Sequence, residues 1–225
     1  VNANHQETIM FKRSPRAVFL AALVVLSGAA QANIIEGFDD IASLAARGFI
    51  LRNAGAPAGS NGFFQGNSRV FGAQSGAPGA YLGANYQSAA AGGNIDDWLI
   101  SPEFSTSAGG TISFYVRAAA DQGYADLFQY GLSTGGTGAA DFVLGGLGTA
   151  PTGDWTRVSL DFAGTGTPGS VGRFAIRYTG PADTANYIGF DTLSLPLPEP
   201  ASLALLGLGL AGLGAGRRGI KRSAR

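Results

Sequence analysis

Thr111-Ile112-Ser113-Phe114-Tyr115-Val116-Arg117 decides the fold. Ile112, Phe114 and Val116 fall on one side of an extended chain, with Thr111, Ser113 and Arg117 on the other. Side chains of a strand point alternately to opposite faces, so this period of two is that of a half-buried strand. The same reading extends outward. Trp155-Thr156-Arg157-Val158-Ser159-Leu160-Asp161-Phe162 sends Val158, Leu160 and Phe162 inward and Arg157, Ser159 and Asp161 outward. Arg173-Phe174-Ala175-Ile176-Arg177-Tyr178 groups Phe174, Ile176 and Tyr178. Leu127-Phe128-Gln129-Tyr130-Gly131-Leu132 is more mixed, Ile34-Ile35-Glu36-Gly37-Phe38 reads as the first strand, and Tyr187-Ile188-Gly189-Phe190-Asp191-Thr192-Leu193-Ser194-Leu195 as the last. Glycine takes 29 of the 164 positions from 33 to 196, which favours tight turns over long helices. Short alternating runs between turn signals predict an all-β fold, an antiparallel β-sandwich.

Between the strands the expectations are modest. Residues 41–47 are the one helical candidate of the body, with Asp39 or Asp40 as its cap. Residues 53–62 and 72–79 read as loops and 135–140 as a mobile tip. Trp98-Leu99-Ile100 is a compact apolar stretch closed by Pro102, and the pair Asp96-Asp97 reads as the cap of a turn before Trp98. No repeat and no shift of composition marks a second domain.

Composition excludes several chemistries. The chain has no cysteine, and its one histidine, His5, precedes the body. Residues 33–196 therefore contain no Ser-His-Asp triad, Cys-His pair, His-liganded zinc or disulfide. Glycosidase-type carboxylate pairs remain open, but no such pair is marked in the sequence. The whole chain is formally neutral, yet the body has seven arginines, no lysine and thirteen acids, a net charge of −6. An acidic, lysine-free body argues against nucleic acid as a partner.

Both ends carry addresses. Met10 is the expected start, Lys12, Arg13 and Arg16 a basic n-region, and residues 17–29 an apolar h-region. Ala30-Gln31-Ala32 fits the small-x-small rule, so signal peptidase, after Sec export, is expected to cut behind Ala32. The leader is thus 1–32, the body 33–195 and the tail 196–225. In the tail, Pro198-Glu199-Pro200 keeps the chain extended, residues 201–216 are apolar except Ser202, and 217–225 carry a basic cluster. Sixteen helical residues rise about 24 Å against a hydrocarbon core of roughly 30 Å, a short transmembrane helix whose basic end stays cytoplasmic. The order of these parts resembles the PEP-CTERM signal of Gram-negative bacteria. The resemblance implies an exosortase-type membrane protease as partner, transient anchoring in the inner membrane and delivery to the cell surface or extracellular matrix. It also implies the company of biofilm and exopolysaccharide, with extracellular polysaccharide as a further partner.

The body has its own resemblance. Phe63-Phe64-Gln65-Gly66-Asn67, Ala80-Tyr81-Leu82-Gly83-Ala84-Asn85-Tyr86, Asp97-Trp98-Leu99-Ile100-Ser101-Pro102 and Asn186-Tyr187-Ile188-Gly189-Phe190-Asp191 follow in that order. Together with the strands at 112–117 and 173–178 they resemble the choice-of-anchor J family and, more distantly, cleaved-adhesin and MAM-like jelly rolls. Phe64 stands where that family usually has Trp, and Asp191-Thr192 where Asp-Asp is more usual. The resemblance implies a jelly-roll-like sandwich and, where first and last strands lie side by side, a structural calcium on Glu36, Asp39 and Asp191. No cofactor is required by anything else in the chain. The expected role is non-catalytic, structural or adhesive. The alternatives are a carbohydrate-binding module using Tyr81, Tyr86, Tyr124 and Tyr130, and a glycoside hydrolase.

Overall fold

The computed structural model describes residues 33–196. The signal cleavage residues Ala30 and Ala32, the sorting residues Pro198, Glu199 and Pro200, and the apolar segment 201–216 lie outside the described residues. Fourteen strands follow one another: β1 (Asn33–Glu36), β2 (Ile50–Asn53), β3 (Ala56–Ala58), β4 (Phe64–Gln65), β5 (Leu82–Asn85), β6 (Ala89–Ile100), β7 (Phe104–Ser105), β8 (Gly110–Ala118), β9 (Leu127–Ser133), β10 (Val143–Leu144), β11 (Gly148–Thr149), β12 (Thr156–Phe162), β13 (Val171–Pro181) and β14 (Tyr187–Pro196). The described helical segments are short 3-10 turns, two of them at Ile41–Ser43 and Ala45–Arg47, where Asp40 Oδ1 accepts the Ala42 N–H as the cap.

The strands form two antiparallel sheets. The smaller has six strands in the order β12-β8-β14-β5-β4, with β1 added along β14. The larger has eight, in the order β10-β9-β13-β6-β2, with β3, β7 and β11 as short additions. Alternation puts one face of each sheet inside. The Phe114 ring of β8 meets Phe190 of its own sheet, and Phe128, Tyr130 and Phe174 of the other, at centroid distances of 5.4–6.2 Å. Such aromatic pairs add about 0.5–1.5 kcal/mol each beyond the area they bury.

Part of each outer face is also covered. Phe142 and Leu144 lie over Trp98, Ile100 and Ala175 of the larger sheet. Phe71, Tyr81 and Trp155 pack on β14 of the smaller sheet around Gly189, where an added Cβ would sit 2.9–3.0 Å from their ring atoms. Only glycine lets three rings approach the strand this closely.

β14 does not alternate evenly. Ile188 and Phe190 are in the core, and so are Leu193 and Leu195, which are out of phase with them. The slip occurs at Asp191 and Thr192, where the pairing with β8 shifts register and Thr192 takes φ 49°. This is a β-bulge; Asp191, two residues after Gly189, keeps to the outer face by ordinary alternation, and the slip follows it.

β6 departs most from the sequence reading. The Asp96-Asp97 pair caps no turn; both residues lie within the strand. Asp96 faces out and accepts the indole N–H of Trp98 and the Arg177 Nε–H, each at 2.6 Å. Asp97 faces in, between Ile95 and Leu99, and is 0% exposed. Neither of its carboxylate oxygens, nor the neighbouring Ser88 hydroxyl, makes a well-aligned hydrogen bond. Burial pushes the Asp97 carboxyl up to about 7; the Ser88 hydroxyl pulls against the rise and Asp96 adds to it. Between about 4 and 7 the folded chain holds a proton that the unfolded chain has released, so this stability is present in acid and is lost as pH rises through 7. Asp97→Asn is expected to flatten the fall in urea stability between pH 5 and pH 8. The predicted gain at pH 8 is about 2–4 kcal/mol, from roughly three pKa units discounted for hydration. Parallel pH profiles of the two proteins would contradict this.

Candidate functional site

The three carboxylates expected to join the ends of the chain lie where β1 runs beside β14, with Glu36 opposite Leu193. They are held differently from one another. Glu36 is nearly buried; its Oε1 accepts the Phe38 N–H at 2.8 Å and pairs with Arg47 Nη2 at 3.0 Å. Asp191 is buried, and its Oδ2 accepts the N–H groups of Gln74 (2.8 Å) and Ser75 (3.2 Å) while Oδ1 takes that of Thr192 (2.6 Å). Burial pushes Asp191 up to about 6 against these hydrogen bonds, which lower it. Asp39 lies against the same 72–79 loop: a Cβ on Gly76, at φ 82°, would be 3.0 Å from its Oδ1. The loop is thus tied to the last strand by Asp191 and borders the first turn at Asp39. Gln65 completes the tie, donating to the carbonyls of Phe38 and Gly79.

The donor set fits calcium poorly. Calcium takes six to eight hard oxygens. Here Arg47 occupies Glu36, and backbone N–H groups occupy Asp191. Among the described residues no three His, Cys, Asp or Glu side chains gather closely enough to hold a metal. Two non-glycine residues in the left-handed region, Phe38 (φ 53°) and Thr192 (φ 49°), flank the ties. Each costs of order 1–3 kcal/mol, so the surrounding bonds must over-determine them.

At the other end of β14 lies a groove of about 850 Å³. One wall is the 3-10 turn Tyr86–Ser88, another the turn Ala182–Thr184, and residues 121–124 close the third. Its floor is small, made largely of alanines such as Ala89 and Ala185. Of the four tyrosines expected on a sugar-binding surface, Tyr81 is wholly buried and Tyr130 packs on the core. Only Tyr86 (48% exposed) and Tyr124 (52%) are open, and both line the groove. Asp121 Oδ2 accepts the Asn186 side-chain N–H at 2.6 Å, and Asp183 takes the Gly92 N–H on both oxygens.

Beneath the groove Asp126 is 2% exposed and accepts the Asn186 N–H, the Tyr187 N–H and the Tyr178 hydroxyl. Burial raises its carboxyl above the usual range, and those three bonds lower it. Sequence reasoning missed Asp121, Asp126, Asp183 and Asn186. Asp126 stands one residue before a readable strand, but nothing local shows that it closes on Asn186, 60 positions away.

Comparison with known proteins agrees with this architecture. In fold the chain is similar to the K1 cleaved adhesin domain of Lys-gingipain from Porphyromonas gingivalis, at 19% identity and TM-score 0.55, over 74% of this chain and 99% of that one. The K3 cleaved adhesin domain of the same protein matches at 18% identity and TM-score 0.55, over 73% and 97%. At these identities the likeness is one of fold. No curated protein sequence matches the chain significantly. Residues 196–218 match the PEP-CTERM protein-sorting motif. The chain therefore carries a two-sheet sandwich similar in fold to the cleaved adhesin domains, followed by a PEP-CTERM sorting motif, which implies an exported surface protein sorted by way of the membrane and processing by exosortase.

Proposed function

We propose that the protein is a non-catalytic structural or adhesive component of the surface or extracellular matrix of a Gram-negative bacterium, associated with exopolysaccharide. In this reading signal peptidase releases the Sec-exported chain at Asn33, and exosortase cuts near Pro198-Glu199-Pro200 while the apolar segment holds the chain in the inner membrane. The observation that carries it is the sorting motif starting at residue 196, directly where β14 ends. Intact mass of the protein recovered from its own host is expected to run from Asn33 to 198–200. In a host lacking the protease it is expected to keep the tail. Retention of 201–225 in both hosts would sink the processing step and leave an anchored ectodomain.

No calcium enters this reading as a requirement. The ties of Asp191 and Glu36 do with hydrogen bonds what a metal would do with coordination. Asp191→Ala removes the acceptor of the partly buried Gln74 N–H and of the Ser75 N–H, and is expected to cost about 1–2 kcal/mol. Chelator is expected to leave the melting temperature of the parent protein unchanged. A calcium-dependent rise in the parent protein that is absent from Asp191→Ala would instead make this carboxylate a metal ligand.

A second reading, a carbohydrate-binding module, is favoured by the groove with its two open tyrosines. The hydrolase alternative has less support. Of the two carboxylates of the groove, Asp183 has both oxygens on the Gly92 N–H, and only Asp121 keeps an oxygen open. A glycosidase needs one carboxyl free to donate a proton and a second free to attack or to activate water.

A further inference from the structure

The geometry points to neutral oligosaccharides as the ligand of the groove between Tyr86 and Tyr124, with anionic sugar chains rejected. This rests on the carbohydrate-binding reading and names its site and ligand class. The first support is the contrast among tyrosines. Tyr81, Tyr178 and Tyr187 are buried with their hydroxyls bonded to Asn67, Asp126 and one another. Tyr86 and Tyr124 have exposed rings, and their hydroxyls have no partner among the described residues. Leaving two flat aromatic faces in water over one groove costs solvation that a ligand with an apolar face recovers. A pyranose ring has such a face, its axial C–H groups, which meet the electron-rich face of an aromatic ring.

The second support is the polar rim. The Asp121–Asn186 pair uses one carboxylate oxygen and the amide nitrogen, which leaves Asp121 Oδ1 and Asn186 Oδ1 to accept from ligand hydroxyls. The Gln87 amide nitrogen, without a partner among the described residues, is left to donate. Adjacent sugar hydroxyls both donate and accept, and they match this set. An apolar peptide would leave the same groups unpaired.

The third support is charge. The lining holds Asp121 and Asp183 and no lysine or arginine. A uronate or sulfated chain would bring like charge into it, whereas a neutral chain meets no penalty. The rim is also built in advance. Asp126 fixes Asn186 from below, and the Tyr86 N–H donates to the Asn186 carbonyl at 3.0 Å, so little ordering remains for the bound state. At about 850 Å³ the groove is of a size for a short oligosaccharide.

The test is isothermal titration of the full-length protein in a sugar-free detergent. The probes are neutral gluco-, manno-, galacto- and xylo-trisaccharides, with trigalacturonate as the anionic probe. At least one neutral probe is expected to bind saturably. Tyr86→Ala and Tyr124→Ala are each expected to weaken it at least about tenfold, the scale of a tyrosine anchor. Both variants should keep the parent melting temperature, since both rings are exposed. Trigalacturonate is expected to give no binding heat. Undiminished binding in both variants overturns the groove and leaves the carbohydrate reading standing. Trigalacturonate bound as tightly as the best neutral probe overturns the ligand class alone. Silence from every neutral probe overturns both.

Discussion

Thr192 in the left-handed region, with the Asp191 carboxylate bonded to its own backbone N–H, is a local constraint with long reach. It shifts β14 by one residue, so that Ile188 and Phe190 before it and Leu193 and Leu195 after it all enter the same core. Without the slip, one pair would face water. Asp191, on the outer face at the start of the slip, also takes two N–H groups of the 72–79 loop. That loop lies beside the ring cluster over Gly189. The bulge thus organises inner core and outer covering together, and the strain at Thr192 is offset by the bonds that converge on Asp191.

The last strand runs from the groove to the sorting motif. Asn186, on the rim of the groove, immediately precedes it, and the sorting motif begins with its final residue. Ten strand residues span roughly 30 Å. β1 returns antiparallel along its far half, pairing Asn33 with Pro196, so both ends of the body leave at the side opposite the groove. A chain tethered at Pro196 would hold the groove away from its point of attachment.

Much of this was legible in the sequence, and the failures have physical causes. The runs at 111–117, 155–162 and 173–178 alternate because each has one face on a core, and these three and 187–195 all fall in strands. Even the slip can be read in the apolar positions 188, 190, 193 and 195, once a bulge is allowed. Of β6 only the end was legible, as the apolar stretch Trp98-Leu99-Ile100 closed by Pro102. Its first half, Ala89-Ala90-Ala91-Gly92-Gly93, has poor strand propensity and is held extended by β3, which pairs at Ala89 and Asn94. Asp97 stands in the core for the same reason: the register of its neighbours sets its direction, and nothing local does. The candidate site was half legible. The end-joining acids lie near the seam expected of them, but their partners, an arginine and backbone N–H groups, come from tertiary contacts. The groove could not be seen, because the exposure of four similar tyrosines is decided by pairings across the whole body.

The pairing of Asn33 with Pro196 also bears on how the domain would carry a mechanical load. Tension applied between a ligand in the groove and a tether at Pro196 runs along the axis of β14. The hydrogen bonds to β1, β5 and β8 lie across that axis. They are therefore loaded in shear and share the force, instead of opening one after another from an end. Extraction of β14 then requires many bonds to fail at once, together with the core side chains they position. Resistance of this kind is set by the rate of unfolding rather than by equilibrium stability.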